Sequence, residues 1–463
     1  MAGTYLTRTM NQSENTDSDK KFTYSGWIKK SETASDGMLI EGYYNSTFHS
    51  QLYYQSNGAL TLNCASGTSG AAFQIVTNRL LRDCNAWYHI VVAIDTTQGT
   101  ASDRAKIYIN GVQETSFSSA TYPNQNTSHQ FNRNGNTAYL GRRTGGGTGL
   151  YFDGLMSHIH TTIGYTYDPT AFGQYDANGV WTIKTSPSVT YGTNGFFIFK
   201  DNGAKTDQSG NSNNFSEEGT PGIVSNTQDS PSNVFATANA IDNYYQNFSF
   251  TNGNTAFSTA STSNTSAPTK STIGVNSGKY YWEVKCVGIS SGSFTYATIG
   301  ITSRDITTNA QGNHLGSQNE DYAYYSYNGH ILNNAGTSNT GSAYGNTYTT
   351  GDIIGVALDL DNNKLYFSKN GVWQNSGVPT SGSTGTGAVS IALPTANNGK
   401  GNYFTGVGDY HFSPTYSFAM NFGNGYFGTT AVSSAGTNAS GNGIFEYDVP
   451  TGYTALSTKG LNL

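Results

Sequence analysis

The chain has 463 residues, enough for two to four domains at roughly 100–200 residues each. Charged residues are 11% and aromatic residues 13%, with 56 Gly, 33 Tyr and a formal net charge of −6. Lys and Arg form no block, which excludes a nucleic-acid groove. The longest apolar runs, such as residues 90–94, fall far short of the ~18 needed for a membrane-crossing helix, and so many aromatics are foreign to a disordered chain. Residues 1–6 lack a basic stretch leading into an apolar one, so no secretory signal is expected. Cys64, Cys84 and Cys286 are odd in number and widely spaced, which argues against a disulfide framework or a zinc cage. They are expected as buried free thiols, with a Cys64–Cys84 pair open only if their strands are neighbours.

In chain order, short apolar alternations are separated by Gly, Asn and Ser. Period-two patterns predict strands at 22–28, 51–54 and 59–63. Residues 87–95 predict a buried central strand. Residues 106–112 run into Asn110-Gly111, a strong hairpin signal because both positions of a type I′ turn need positive φ. Further strands are expected at 137–141, 150–159 and 195–199, with one short helical turn at 168–172. From about 201 to 243 the chain turns polar, and residues 229–243 are expected as a linker. A second β region has strands at 279–287, 296–301, 322–327, 352–359 and 364–368. Its Asn-Gly turns fall at Asn328-Gly329 and Asn370-Gly371. The fold class is all-β: two antiparallel β-sandwiches, residues 1–228 and 244–463.

The order of three motifs resembles a laminin-G-like domain of the concanavalin A-like superfamily. They are Trp87-Tyr88-His89-Ile90-Val91, Ile107-Tyr108-Ile109-Asn110-Gly111-Val112 and Phe152-Asp153-Gly154-Leu155-Met156-Ser157. Lys279-Tyr280-Tyr281-Trp282-Glu283-Val284, the stretch 351–359 and Leu365-Tyr366-Phe367-Ser368-Lys369-Asn370-Gly371-Val372-Trp373 resemble a SPRY domain. Met420-Asn421-Phe422-Gly423 fits that family's last strand. The tandem is similar to structural proteins of bacteriophages, especially marine ones. That resemblance implies a virion component, made in a host cytoplasm and present in many copies or as a homo-oligomer. Its implied partners are other virion structural proteins and host or environmental glycans. A fibre that binds surface sugars and a capsid decoration protein that works through protein contacts are both open.

A glycan hydrolase is the third alternative, because the first superfamily includes glucanases. Such chemistry usually needs two carboxylates across the scissile bond, and a Glu-x-Asp-x-x-Glu strand pattern would supply them. None is present. Glu14, Glu32, Glu41 and Glu114 are isolated, Glu217-Glu218 lies in a polar stretch, and Asp359 and Asp361 flank a turn that favours Asp. No catalytic residue is expected. His158 and His160, two apart on a strand, should share a face at the surface or an interface, with no visible third metal ligand. No cofactor is required. Calcium is an option at the oxygen-rich Asp207 to Asn211, where an ordinary turn is the alternative.

The informative residues are the tyrosines. Five Tyr-Tyr doublets occur, at 43–44, 53–54, 244–245, 280–281 and 324–325. Neighbours on a strand point to opposite faces, so one of each strand-borne pair should face away from the core. An outward Tyr suits protein contact and sugar stacking. The ligand or interface candidates are Tyr43, Tyr44, Tyr53, Tyr54, Tyr322, Tyr324, Tyr325, Tyr327 and Trp373. Trp27, Trp87 and Trp282 are expected inside.

Overall fold

The computed structural model describes residues 3–462 apart from 13–17, 32–34, 66–71, 85, 146–148, 201–204, 220–226, 243–247, 260–267, 290–295, 305–313, 339, 395–399 and 411–414. The chain divides into two compact units, one running mainly from Met1 to Asn226 and one mainly from Asn233 to Leu463. Both are β-sandwiches. Among the described residues the only helices are short 3₁₀ turns, and no helix is long and apolar enough to cross a membrane.

The first unit stacks an eight-stranded sheet on a six-stranded one. The eight-stranded sheet runs Phe117–Thr121, Phe73–Leu80, Ala59–Ala65, His49–Tyr54, Gly37–Tyr43, Thr137–Leu140, Tyr5–Thr9, Ser216–Glu218, every neighbour antiparallel. The six-stranded sheet is centred on Lys21–Lys30 and Tyr88–Asp95. Alternate residues of both sheets, among them Leu6, Ile40, Leu52, Leu62, Ile90, Val92 and Ile159, make the core. Each such side chain, fully buried, is worth about 1.5–3 kcal/mol.

The six-stranded sheet is also covered on its other face. Trp27 stacks on His89 at 4.7 Å, and His89 on Trp181 at 5.9 Å. Trp181 donates its Nε1–H to His89 Nδ1, which leaves the His89 Nε2–H to donate to Ser25 Oγ. Trp27, Trp87 and Trp282 are buried, as expected. All three cysteines are buried free thiols.

The expectation for His158 and His160 is corrected. A bulge interrupts the pairing between Ser157 and His160, and His158 sits at φ +49. Both rings are buried: His160 packs on Phe197 at 3.9 Å and meets the Tyr191 hydroxyl at 3.0 Å, and His158 Nδ1 meets Ser157 Oγ at 2.8 Å. Among the described residues no three His, Cys, Asp or Glu side chains gather as a metal site.

The second unit stacks a nine-stranded sheet on a six-stranded one. Lys279–Ile289 lies at the centre of the larger sheet, between Tyr416–Asn421 and Ile353–Asp359. Ala297–Thr302 lies between Tyr403–Asp409 and Asp321–Tyr325 in the smaller. The segment expected as a linker adds to this core. Phe235, Ala236 and Ala238 are buried there, Phe235 bridging Ser457 and Ala238 bridging Ser271. Polar residues flank a short apolar run that pairs with the sandwich.

The two Asn-Gly turns read at Asn110 and Asn370 are built alike. Asn110 and Gly111 have φ +50 and +80, and Asn370 and Gly371 have +49 and +80. Each Asn side chain accepts a strand N–H at 2.8 Å, from His89 in the first unit and Ile353 in the second.

Candidate functional site

Residues paired across a sheet share a face. On the eight-stranded sheet this places a polar row on the side away from the core: Thr7, Tyr139, Glu41, Gln51, Asn63, Gln74 and Thr121, one per strand. The next row holds Thr9, Thr137, Tyr43, His49 and Ala65. Tyr53 is on the same face, opposite Thr61.

Tyr43 and Tyr139 are diagonal neighbours across adjacent strands, and so are Tyr139 and Tyr5. Their ring centroids are 6.2 Å and 6.1 Å apart, and Tyr151 continues the line 6.3 Å beyond Tyr5. All four rings are half-buried. They form a tyrosine ladder that crosses three strands. Gly3 lets Tyr151 lie against the backbone, since a Cβ there would sit 1.9 Å from the ring.

The far end of the ladder is carried by a hairpin after Gly141, itself at φ +80. Arg142 bridges Tyr151, and the Arg143 N–H donates to the Leu150 carbonyl at 2.9 Å. The Arg142 guanidinium lies 4.5 Å above the Tyr5 ring, a cation–π distance, and Nη1 donates to the Tyr5 hydroxyl at 2.6 Å.

A buried carboxylate pins this hairpin to the sheet. Glu41 accepts the N–H groups of Thr144 at 2.6 Å and Gly145 at 2.8 Å, and the Gln51 amide at 2.7 Å. Gln51 also donates to the Gly145 carbonyl at 2.8 Å. Burial raises the Glu41 carboxyl above its ordinary range, against the pull of these donors and the nearby Arg143 charge. Its oxygens are occupied by donors, so Glu41 serves as a brace. Glu114 is paired with Arg79 at 2.9 Å and Glu217 with Lys205 at 2.9 Å. Asp359 pairs with Lys279 at 3.0 Å and accepts the Asn362 N–H at 3.0 Å in its turn, while Asp361 accepts from Gly278. Glu14 and Glu32 lie outside the described residues.

The predicted site residues divide sharply. Tyr43 and Tyr53 are half-buried on the ladder face, and Tyr44, in the turn just beyond, is 61% exposed. Tyr54 is a correction: it is 1% exposed and belongs to the core. Tyr322, Tyr324 and Tyr325 are corrected as well, because all three are buried. Tyr322 and Tyr324 enter the sandwich core, whereas Tyr325 faces the opposite way and is covered by a satellite cluster with Leu315, Ala323 and Leu332. Tyr280 and Tyr281 are both buried too. Tyr327 is 38% exposed, with Tyr296 at 5.7 Å. Trp373 is half-buried against Tyr281 and Tyr366. Tyr244-Tyr245 lies outside the described residues.

The groups considered for calcium are engaged in hydrogen bonds within the turn. Asp207 accepts Phe197 N–H, Ser209 N–H, Ser209 Oγ–H and Asn213 N–H, at 2.7 to 2.9 Å. Asn211 turns its amide N–H groups toward the Gly192 and Gly195 carbonyls. The cluster is a turn braced by its own donors.

Sequence reasoning found Tyr43 but missed Tyr5, Tyr139 and Tyr151. None belongs to a doublet. Their signal is positional: each lies in or beside a predicted or paired strand, and only the register brings them into line.

Residues 3–161 match the family described as Concanavalin A-like lectin/glucanases superfamily, a laminin-G-like domain, and residues 279–404 match the SPRY domain. Ran-binding protein 9 of Danio rerio is 38% identical over 94 residues, 20% of this chain and 14% of that protein, so the chain matches a small part of its length. The SPRY domain of human HERC1 is 17% identical with TM-score 0.29, over 38% of this chain and 94% of that one. A putative carbohydrate binding protein from Bacteroides ovatus is 14% identical with TM-score 0.30, over 47% and 58% of the two chains. The chain carries a laminin-G-like domain followed by a SPRY domain, and both families fit a binding role.

Proposed function

We propose that the protein is a non-catalytic glycan-binding protein whose first unit holds a sugar chain along Tyr151, Tyr5, Tyr139 and Tyr43. The ladder is the observation that carries this reading. Half-buried rings on rigid strands offer apolar faces for sugar stacking and hydroxyl edges for hydrogen bonds at little entropic cost. Farther along the polar row, Asn63 and Gln74 supply further donors and acceptors. Four rings in line suit an oligosaccharide, not a single sugar. The absence of a carboxylate pair in the sequence motifs, and the use of Glu41 as a brace, support binding without hydrolysis.

The setting we propose is the surface of a bacteriophage virion, on the strength of the resemblance of the tandem to phage structural proteins. Many copies, or a homo-oligomer, would raise avidity from weak single sites. Partners would then be other virion structural proteins and host-surface or environmental glycans. A second reading assigns protein contacts to the SPRY unit, as in a capsid decoration protein. It is favoured by exposed Tyr327 beside Tyr296 and half-buried Tyr410, and by relatives named for binding Ran.

A glycan array probed with the whole chain and with Tyr139→Ala tests the first reading. Binding to a defined oligosaccharide set, weakened about tenfold or more by the substitution, supports it. Binding untouched by Tyr139→Ala, or release of reducing ends from the bound glycan, overturns it.

A further inference from the structure

The ladder carries two cations that no described acid meets at ion-pair distance. Arg142 stands over Tyr5 at 4.5 Å and 6.0 Å from Tyr151, so it lies at the ladder's far end. Arg143 follows it on the hairpin held by Glu41. Among the described residues no carboxylate lies within 4.0 Å of either guanidinium. Both Nε atoms are shielded from solvent without an acceptor. Elsewhere Arg304 pairs with Asp321 at 2.7 Å and buried Lys270 with Asp242 at 2.6 Å, whereas half-buried Arg104 donates to the carbonyls of Gln98, Gly99 and Pro123.

Two acids lie nearby. Glu41 has its oxygens filled by Thr144, Gly145 and Gln51. Glu218, opposite Tyr5 on the edge strand, is exposed to solvent. Neither makes a close ion pair with the arginines, although the Arg143 charge reaches Glu41. Arg142 is also fixed in place by its bond to the Tyr5 hydroxyl, so an anion reaching it meets a charge that needs no further ordering.

We propose that the ladder selects an anionic glycan, with a carboxylate or sulfate group of the sugar chain received by Arg142 and Arg143. Planar guanidinium groups match the paired oxygens of both anions. This rests on the glycan reading of the ladder and adds the charge of its ligand. The whole protein is acidic, with net charge −6, so a preference for polyanions has to come from a local site.

Affinity electrophoresis of the full chain separates the two claims. The gels hold polygalacturonate or its methyl ester, and dextran sulfate or dextran. Arg142→Gln, Arg143→Gln and Tyr139→Ala are run beside the parent, each checked for an unchanged melting temperature. The expected result is retardation by at least one charged polymer about tenfold stronger than by its neutral partner, weakening as salt rises. Each Arg variant shrinks that ratio several-fold, whereas Tyr139→Ala weakens charged and neutral binding together. Which charged polymer retards the chain identifies the group as carboxylate or sulfate. Equal retardation by charged and neutral partners, or a ratio untouched in both Arg variants, overturns the anionic preference and leaves the ladder standing. No retardation in any gel overturns both.

Discussion

The two sandwiches place many of their strand tyrosines differently. In the first unit, Tyr5, Tyr43, Tyr139 and Tyr151 line up half-buried on one face of a sheet. In the second, Tyr281, Tyr324, Tyr348, Tyr366, Tyr403, Tyr416 and Tyr453 are fully or almost fully enclosed. Several of their hydroxyls reach backbone carbonyls: Tyr348 donates to Ala297 and Tyr324, Tyr403 to Ala392 and Tyr453 to Pro379. A ring facing away from a sandwich core is exposed only if nothing lies over that face. In the second unit something does. Residues 444–447 are held over the larger sheet by Glu283, and Leu315, Leu332 and Tyr410 pack around Tyr325 outside the smaller.

Matched substitutions break this comparison most forcefully. Tyr324→Ala removes a buried ring and should cost the second unit about 3–5 kcal/mol by denaturant unfolding. Tyr43→Ala should cost the first unit under about 1 kcal/mol while weakening glycan binding. Equal costs would erase the distinction between a core and a surface tyrosine.

Next in size is Glu283. It is buried and accepts from Glu446 N–H and Tyr447 N–H at 2.9 Å, and from Asn421 and Tyr281 at 3.1 Å. Burial pushes its carboxyl from 4.5 up to about 7, although the four donors pull the other way. The folded state therefore keeps a proton that the unfolded chain has lost. The stability this group contributes is full below pH 4.5 and is lost as pH rises to about 7. Denaturant midpoints of the second unit should fall across that window, and Glu283→Gln should flatten the dependence. A midpoint that rises with pH through the Glu283 group would contradict the assignment.

Glu41 offers the corresponding test in the first unit. Glu41→Ala strands the Thr144 and Gly145 N–H groups and should cost about 1–3 kcal/mol. Hydrogen exchange should speed up at Thr144 and Gly145, and binding should weaken because Arg142 and Tyr151 lose their footing. Unchanged exchange there would show that the hairpin stands without its brace. The smallest expected effect concerns Asp207. Added calcium should leave the melting temperature unchanged, since N–H and O–H donors fill the carboxylate; a rise of several degrees would reinstate the cation.

Much of the fold was legible from local chemistry. The Asn-Gly turns at Asn110 and Asn370, the Asp168-Pro169 cap and the central strand around Ile90 are each dictated by a few residues. The site was legible only in part. Doublets reported that tyrosines alternate, which put Tyr43 and Tyr53 on an outer face but also nominated Tyr54, Tyr322, Tyr324 and Tyr325. Alternation fixes which side of a strand a ring takes, not what covers that side. The ladder depends on register between strands more than ninety residues apart in sequence, such as Tyr43 against Thr137. No local pattern encodes that register.

The most direct measurement is a crystal structure of the chain with an oligosaccharide taken from the array. Sugar rings resting on Tyr151, Tyr5, Tyr139 and Tyr43, with an acidic substituent against Arg142, are what this account predicts. Sugar bound on the SPRY unit, with the ladder bare, would contradict it.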